Sequence, residues 1–351
     1  MKTEYAVMTE ERIDAAVIAR AGQIIRAGGI VAFPTETVYG LGGDALNPAS
    51  ARKIYEAKGR PSDNPLIVHV CRLEDVPRIV KEFPRQAQEL AAAFWPGPLT
   101  MILEKNDLVP CETTGGLETV AIRFPSNRIA QALVDAAGGY VAAPSANRSG
   151  RPSPTIARYC REDLDGRADM IIDGGEVGIG LESTIIDLTD EEPVILRPGY
   201  ITREMLEKVL GGVAVDRAVI APDSGVQPKA PGMKYRHYAP KGELTIVESG
   251  HPETAAAYIN AQLRAAKAAG HRTGVICTEE TRGLYQADCV KSAGPRNEEE
   301  EIARELFRIL REFDDEECEV MFSESFPESG IGAAVMNRLM KAAGHHVIRL
   351  D

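Results

Sequence analysis

Side chains that could bind phosphate or carboxylate groups are concentrated in loops within the first 200 residues. Lys58 and Arg60 flank a glycine just after a helix-like segment, and two cations at that spacing suit the phosphates of a nucleotide. They could instead oppose the negative end of the helix dipole. Ser145 and Asn147, in a turn that begins with proline, offer a hydroxyl and an amide to phosphate or ribose, but they are also ordinary turn formers.

A second group of residues suits an amino-acid substrate. Arg123 ends a predicted strand, where it could pair with a substrate carboxylate or extend into solvent. His69 lies inside an apolar strand, where a hydrogen-bonded core histidine is the alternative to a ligand contact. Thr37 and Glu36 could polarise an amino-acid substrate or simply cap Tyr39 and its turn. Each residue alone leaves both interpretations open.

An α/β scaffold is predicted to position these loops. Many short strands interleaved with a few helices favour a mixed, twisted sheet, and ligands bind at the loop ends of such sheets. From residue 242 strands and helices alternate strictly with short loops, which predicts a small parallel domain. The 351 residues exceed what one core usually organises. We therefore predict a first α/β domain over residues 1–210, a linker over 211–241 and a second domain over 242–351.

Composition excludes several classes of protein. A net charge of −12 and an aromatic content of 5% argue against a surface that binds nucleic acid through its phosphates or by stacking. The six cysteines are scattered without a CxxC pair, which predicts reduced thiols in a cytoplasmic protein. Residues 1–12 contain charges of both signs, so we expect neither a signal peptide nor contact with a membrane.

Familiar catalytic signatures are absent from the sequence. There is no GxxxxGK[ST] motif, no GxSxG elbow and no HExxH, which argues against P-loop kinases, serine hydrolases and zinc proteases. Gly40, Gly42 and Ala45 match a dinucleotide fingerprint only loosely, because Pro34-Thr-Glu-Thr lies between the strand and the glycines.

Several motifs in the same order together resemble the threonylcarbamoyl-AMP synthase (YrdC-like) family. They are Pro34–Gly42, Lys58–His69, Trp95–Thr100, Ala143–Asn147, Ser149–Thr155, Glu182–Asp187 and Leu196–Gly199. The resemblance runs from about Ala16 to Leu210, and Pro231–Pro240 resembles the linker of the long, two-domain form. It implies a YrdC-like domain with a twisted mixed sheet and a concave cavity, followed by a small Rossmann-like parallel α/β domain.

The resemblance also implies a nucleotidyltransferase activity. L-threonine, bicarbonate and ATP, accompanied by Mg²⁺, would give L-threonylcarbamoyladenylate, pyrophosphate and water. A downstream transferase complex would then form N6-threonylcarbamoyladenosine next to the tRNA anticodon. Direct contact with tRNA is left open. The Mg²⁺ would be held by phosphate oxygens and water, with no metal ligand from protein side chains.

Site residues follow from the family motifs position by position. The residues implied for L-threonine are Thr37, His69, Arg123, Ala143 and Ser183. The residues implied for ATP are Arg60, Asn64, Thr119, Ser145, Ser153, Arg197 and Tyr235. The implied catalytic residues, which would face the phosphates, are Lys58, Arg60, Ser145 and Asn147. Arg123 would bind the threonine carboxylate, and the linker with Tyr235 would close over the nucleotide as a lid.

The sequence argues against three other functions. A carbamoyltransferase with the same domain would carry an acylphosphatase module and CxxC zinc motifs, and this chain has neither. An RNA-binding module would conflict with the negative net charge and the sparse aromatic residues. A nicotinamide-dependent enzyme would depend on the loose glycine fingerprint alone.

Overall fold

The computed structural model describes residues 2–216 and 238–350. These residues divide into two compact units, the first comprising 2–149 with 153–216 and the second 150–152 with 238–350. Much of the predicted linker, including Tyr235, lies outside the described residues, so its lid role stays a prediction.

The first unit contains, within the described residues, an 11-stranded mixed sheet. Its strands are β1 (Glu4–Val7), β2 (Val31–Phe33), β3 (Gly40–Asp44), β4 (Ile67–His69), β5 (Leu99–Glu104), β6 (Thr119–Arg123), β7 (Val141–Ala143), β8 (Met170–Asp173), β9 (Thr184–Asp187), β10 (Val194–Arg197) and β11 (Ala214–Val215). They lie in the order β1-β8-β2-β3-β7-β4-β6-β5-β9-β10-β11. β4 runs parallel to β6, whereas β5 runs antiparallel to it, so the predicted mixed sheet is confirmed.

Helices cover both faces of this sheet. They are α1 (Ala15–Arg26), α2 (Pro48–Lys58), α3 (Arg85–Phe94), α4 (Cys111–Thr114), α5 (Arg128–Ala136), α6 (Ala157–Leu164) and α7 (Arg203–Leu210), with a 3₁₀ helix at Leu73–Arg78. Alternate strand residues point to opposite faces. Accordingly Ala32 packs into one apolar cluster, while its neighbours Val31 and Phe33 pack into another. Among the described residues, none of the helices is both long and apolar enough to cross a membrane.

The described part of the second unit contains a five-stranded sheet, and all of its pairs are parallel. Its elements are β12 (Glu243–Ser249), α8 (Pro252–Ala268), β13 (Thr273–Cys277), β14 (Cys289–Ser292), α9 (Glu299–Asp315), β15 (Val320–Glu324), α10 (Gly332–Ala342) and β16 (Val347–Leu350). Arg311 of α9 is fully buried, and its Nε and Nη2 donate to the Pro152 carbonyl at 2.9 and 2.7 Å. The predicted small parallel domain is confirmed.

Some elements differ from the sequence-based expectation. The segment 34–43 reads as a loop because of its glycines, yet β3 begins at Gly40 and pairs with β2 and β7. A Cβ on Gly42 would lie 2.6 Å from Val141 Cγ1 and 2.7 Å from Phe33 Cε1, so glycine is needed where side chains of the two neighbouring strands converge. β11 extends the first sheet beyond residue 210, and α6 and β14 had no clear sequence signal.

Helix α2 positions Lys58 because both of its ends are defined by the sequence. The Asn47 side chain accepts a hydrogen bond from Ala49 N at 2.9 Å, and Pro48 fits the first turn because it lacks an N–H. Gly59 then adopts a left-handed conformation with φ of 61°, which ends the helix at Lys58.

We expect Asn47→Ala to destabilise the first unit by about 1 kcal/mol, because the amino end of α2 loses its cap. Trp95 is the single tryptophan of the chain, so its fluorescence during urea unfolding reports on this unit. Asn47→Asp keeps the oxygen acceptor and should unfold close to the wild type. Equal losses in the two variants would contradict this role of the cap.

Candidate active site

Arg123, at the carboxyl end of β6, is buried, with 4% of the residue exposed. The strand register places His69 of β4 and Thr100 of β5 on either side of it. Its Nη1 donates to Thr37 Oγ1 at 2.8 Å, and its Nη2 lies 2.7 Å from Glu36 Oε1. The structure therefore places Arg123 among other candidate residues and not in solvent.

The contact between Arg123 and Glu36 is an ion pair that lacks hydrogen-bond geometry. Among the described residues, Nε and Nη2 of Arg123 have no acceptor, and neither carboxylate oxygen of Glu36 has a donor. Buried polar groups are almost always hydrogen-bonded, so these atoms are available to a ligand. A guanidinium group with unused N–H donors suits a carboxylate.

His69 is buried beside this pair. Its Nδ1 lies 3.1 Å from the Ile67 carbonyl oxygen, and its ring meets that of Phe33 edge-on at 6.1 Å. Burial, followed by the nearby charge of Arg123, lowers the pKa of His69 to about 3. The imidazole is therefore neutral at ordinary pH and adds no charge to the site. It is both a hydrogen-bonded core residue and a neighbour of Arg123, so its two interpretations are compatible.

Ser183 connects residues implied for different substrates. Its hydroxyl lies 2.7 Å from Thr100 Oγ1, and Arg197 Nη2 donates to that same hydroxyl at 3.2 Å. Arg197 Nε donates to the Ser183 carbonyl at 3.0 Å. Arg197, which is implied for ATP, thus holds Ser183, which is implied for threonine. Thr100, which closes the Trp95–Thr100 motif, was not predicted as a site residue, yet it contacts Ser183 and lies beside Arg123.

Lys58 holds the loop that contains Ser145 and Asn147. Its buried ammonium group donates to the main-chain carbonyl of Ser145 and to that of Asn147 at 2.5 Å. In return, the Lys58 carbonyl accepts a hydrogen bond from Ser149 N at 2.8 Å. These bonds join the end of α2 to the loop after β7. That Lys58 faces phosphates stays a prediction.

Three other residues implied for ATP, Arg60, Asn64 and Thr119, lie away from Arg123. Arg60 donates through Nη2 to the Pro65 carbonyl at 3.1 Å, and the buried Asn64 Oδ1 has no hydrogen-bond donor among the described residues. Ile67 of β4 lies opposite Ala121 of β6, and the two strands are parallel. Two residues earlier, Thr119 therefore lies level with residue 65. Thr119 and Arg123 occupy opposite ends of β6, roughly 13 Å apart at the usual rise per residue.

Ser153 is fixed by a neighbour of Ser183. Its hydroxyl donates to Glu182 Oε1 at 2.6 Å, and both residues are buried. Ala143 is buried at the end of β7, opposite Ile67 of β4.

In residues 2–216 and 238–350, no group of three or more His, Cys, Asp or Glu side chains is placed to hold a metal ion.

Comparison with known proteins identifies the family. A family model named Sua5_yciO_yrdC and described as "Telomere recombination" matches residues 23–199. A second model, described as the C-terminal domain of threonylcarbamoyl-AMP synthase, matches residues 201–344. A relative from Bacillus subtilis (strain 168), named threonylcarbamoyl-AMP synthase, is 50% identical over 95% of this chain and 94% of its own length. The chain belongs to the threonylcarbamoyl-AMP synthase family.

Solved structures of this family agree with the fold. The relative of the same name from Pyrococcus abyssi (strain GE5 / Orsay) is 47% identical over 98% of this chain and 99% of its own length. A crystal structure of P. abyssi Sua5 complexed with L-threonine matches over 100% of both chains, with 45% identity and a TM-score of 0.92. The predicted family, the two-domain α/β fold and the classification as an enzyme are confirmed. The roles of individual site residues stay predictions.

We expect the neutral His69 to make the first unit less stable as pH falls below about 6.5. The unfolded chain protonates His69 near its usual pKa, whereas the folded chain resists protonation down to about 3. As pH falls, the free energy of unfolding should therefore decrease more steeply in wild type than in His69→Gln. The difference between the two slopes is at most about 1.4 kcal/mol per pH unit. Trp95 fluorescence during urea unfolding at pH 7.5, 6 and 5 measures this difference. Substitution of the exposed His251 is the control, and parallel pH dependences in wild type and His69→Gln would disprove the assignment.

We expect Lys58→Met to destabilise the first unit by about 2 kcal/mol, because buried loop carbonyls lose a charged donor. Lys53→Met, at an exposed position of the same helix, is the matched control and should cost less. Urea unfolding followed by Trp95 fluorescence gives stability, and calorimetric titration gives ATP affinity. A Lys58 that contacted only phosphate would instead lose ATP affinity at unchanged stability.

Proposed function

We propose that this enzyme converts L-threonine, bicarbonate and ATP into L-threonylcarbamoyladenylate, pyrophosphate and water. The observation that carries the proposal is the buried Arg123 guanidinium group, which has unused N–H donors next to Thr37. Such a group suits the carboxylate of an amino acid. Similarity over the whole chain to a protein crystallised with L-threonine supports threonine as that amino acid.

The threonine end of the site is formed by Thr37, His69, Arg123, Ala143 and Ser183. Arg123 binds the carboxylate. The hydroxyl of Thr37 is held by Arg123, and that of Ser183 by Thr100 and Arg197, so both have fixed positions at this end of the site. A neutral His69 matters here, because a second cation beside Arg123 would repel the α-ammonium group of threonine.

The nucleotide end is formed by residues rich in hydroxyl and guanidinium groups. They are Arg60, Asn64, Thr119, Ser145, Ser153 and Arg197. Tyr235, which lies outside the described residues, is a further residue proposed to bind ATP. This set of donors suits phosphate and ribose better than a bare cation, which fits Mg²⁺ held by ATP oxygens and water. Mg²⁺ would supply charge neutralisation on the phosphates. Lys58 and Asn147 shape the loop that presents Ser145.

The reaction proceeds in two stages within one site. The α-ammonium group of threonine loses a proton to solvent, and the resulting amine takes up carbon dioxide from bicarbonate, which gives an N-carboxylate and releases water. An oxygen of that carboxylate then attacks the α-phosphorus of ATP, and pyrophosphate leaves. Since no covalent enzyme intermediate is needed, the protein acts by positioning and charge stabilisation. Arg197 is suited to this because it fixes Ser183 at the threonine end.

The product supplies tRNA modification in the cytoplasm. The threonylcarbamoyl group is passed by a downstream transferase complex to the adenosine next to the anticodon, which becomes N6-threonylcarbamoyladenosine. All six cysteines are free thiols, which is compatible with a reducing compartment.

The test is pyrophosphate release by the full-length protein with Mg²⁺, omitting ATP, L-threonine or bicarbonate in turn. We expect release only when all three are present, and a new adenylate of the corresponding mass. Arg123→Gln should raise KM for L-threonine by about tenfold or more, because the carboxylate loses a charged donor. Release that depends on carbamoyl phosphate and not on threonine would identify a carbamoyltransferase. RNA binding by the folded protein without any turnover would identify a non-enzymatic role.

A further inference from the structure

The reaction above assigns no role to the buried carboxylate group of Glu36. Its side chain is 12% exposed, and both carboxylate oxygens are buried without a hydrogen-bond donor among the described residues. The main chain around it is fixed, since Ile179 N donates to the Glu36 carbonyl at 2.9 Å and Gly180 N donates to the Thr37 carbonyl at 3.1 Å. The carboxylate is thus held beside Arg123 by the loop and not by bonds of its own.

A structural ion pair would be expected to look different. Burying two charges is repaid only when the pair has good geometry and the remaining donors and acceptors are hydrogen-bonded. Here Arg123 Nη2 and Glu36 Oε1 are 2.7 Å apart without hydrogen-bond geometry, and Arg123 Nε also lacks an acceptor. An incomplete buried polar network costs stability, which favours a role in binding.

We propose that Glu36 binds the α-ammonium group of the substrate while Arg123 binds its α-carboxylate. This inference rests on the proposed function, because it takes an amino acid as the ligand. A zwitterion supplies an ammonium group with three donors and a carboxylate with several acceptor sites. Those are the partners that Glu36 and Arg123 lack, and the zwitterion leaves the net charge of the buried cluster at zero.

Discrimination between ligands follows from the same charges. A hydroxy acid of the same shape retains the carboxylate for Arg123 but offers no cation to Glu36, and it brings a second negative charge close to the buried carboxylate. An amino alcohol retains the ammonium group for Glu36 but has no anion for Arg123. Glu36 therefore weakens the binding of hydroxy acids, and Arg123 favours amino acids over amino alcohols.

The test uses calorimetric titration of full-length wild type, Glu36→Gln and Arg123→Gln with three ligands. These are L-threonine, (2S,3R)-2,3-dihydroxybutanoate, which lacks the ammonium group, and L-threoninol, which lacks the carboxylate. Glu36→Gln should weaken L-threonine and L-threoninol by about tenfold or more and leave dihydroxybutanoate unchanged or tighter. Arg123→Gln should weaken L-threonine and dihydroxybutanoate and spare L-threoninol.

Several outcomes would overturn the assignment. Equal weakening of all three ligands by Glu36→Gln would mean that Glu36 only supports Arg123. Unchanged threonine affinity in Glu36→Gln would remove Glu36 from recognition while leaving the proposed function intact. Failure of the wild type to bind L-threonine would overturn the proposed function and this inference with it. ATP affinity and Trp95 fluorescence check that each variant is folded, and Glu36→Asp, which retains the charge, should bind threonine better than Glu36→Gln.

Discussion

The burial of one guanidinium group constrains the rest of the candidate site. Arg123 ends a central strand, so its charge lies where water does not screen it, and each neighbour must accommodate that charge. Thr37 accepts a hydrogen bond, Glu36 supplies a countercharge, and His69 is held neutral. Because this network is incomplete within the described residues, a charged ligand can complete it. The candidate site is therefore built around a charge pair whose hydrogen bonds are incomplete.

Other cations near the candidate site hold its loops in place. Lys58 bonds to loop carbonyls beside Ser145, and Arg197 bonds to Ser183. A charged donor holds a loop more firmly than a neutral one does, which keeps the hydroxyl groups in place. Such a local group of cations is compatible with the proposed phosphate site in a chain with a net charge of −12.

Elements with clear end signals were predictable from the sequence. Helix α2 follows Asn47–Pro48 and ends before Gly59, and α3 ends before Trp95-Pro-Gly-Pro. Strand β3 was not predictable, because its glycines read locally as a loop and are explained only by the neighbouring Phe33 and Val141. Local propensity fails where the partner strand decides what fits.

The sequence by itself determined the family, the two α/β domains and the set of candidate residues, because long motifs in a fixed order carry that information locally. It could not decide which members of the set touch. The Arg123–Glu36 pair, the neutral His69 and the hydroxyl pair of Thr100 and Ser183 arise from strand register and burial, which join residues far apart in the chain. Tertiary structure decides such contacts because the energy of a charge or hydroxyl depends on its surroundings and not on its sequence neighbours.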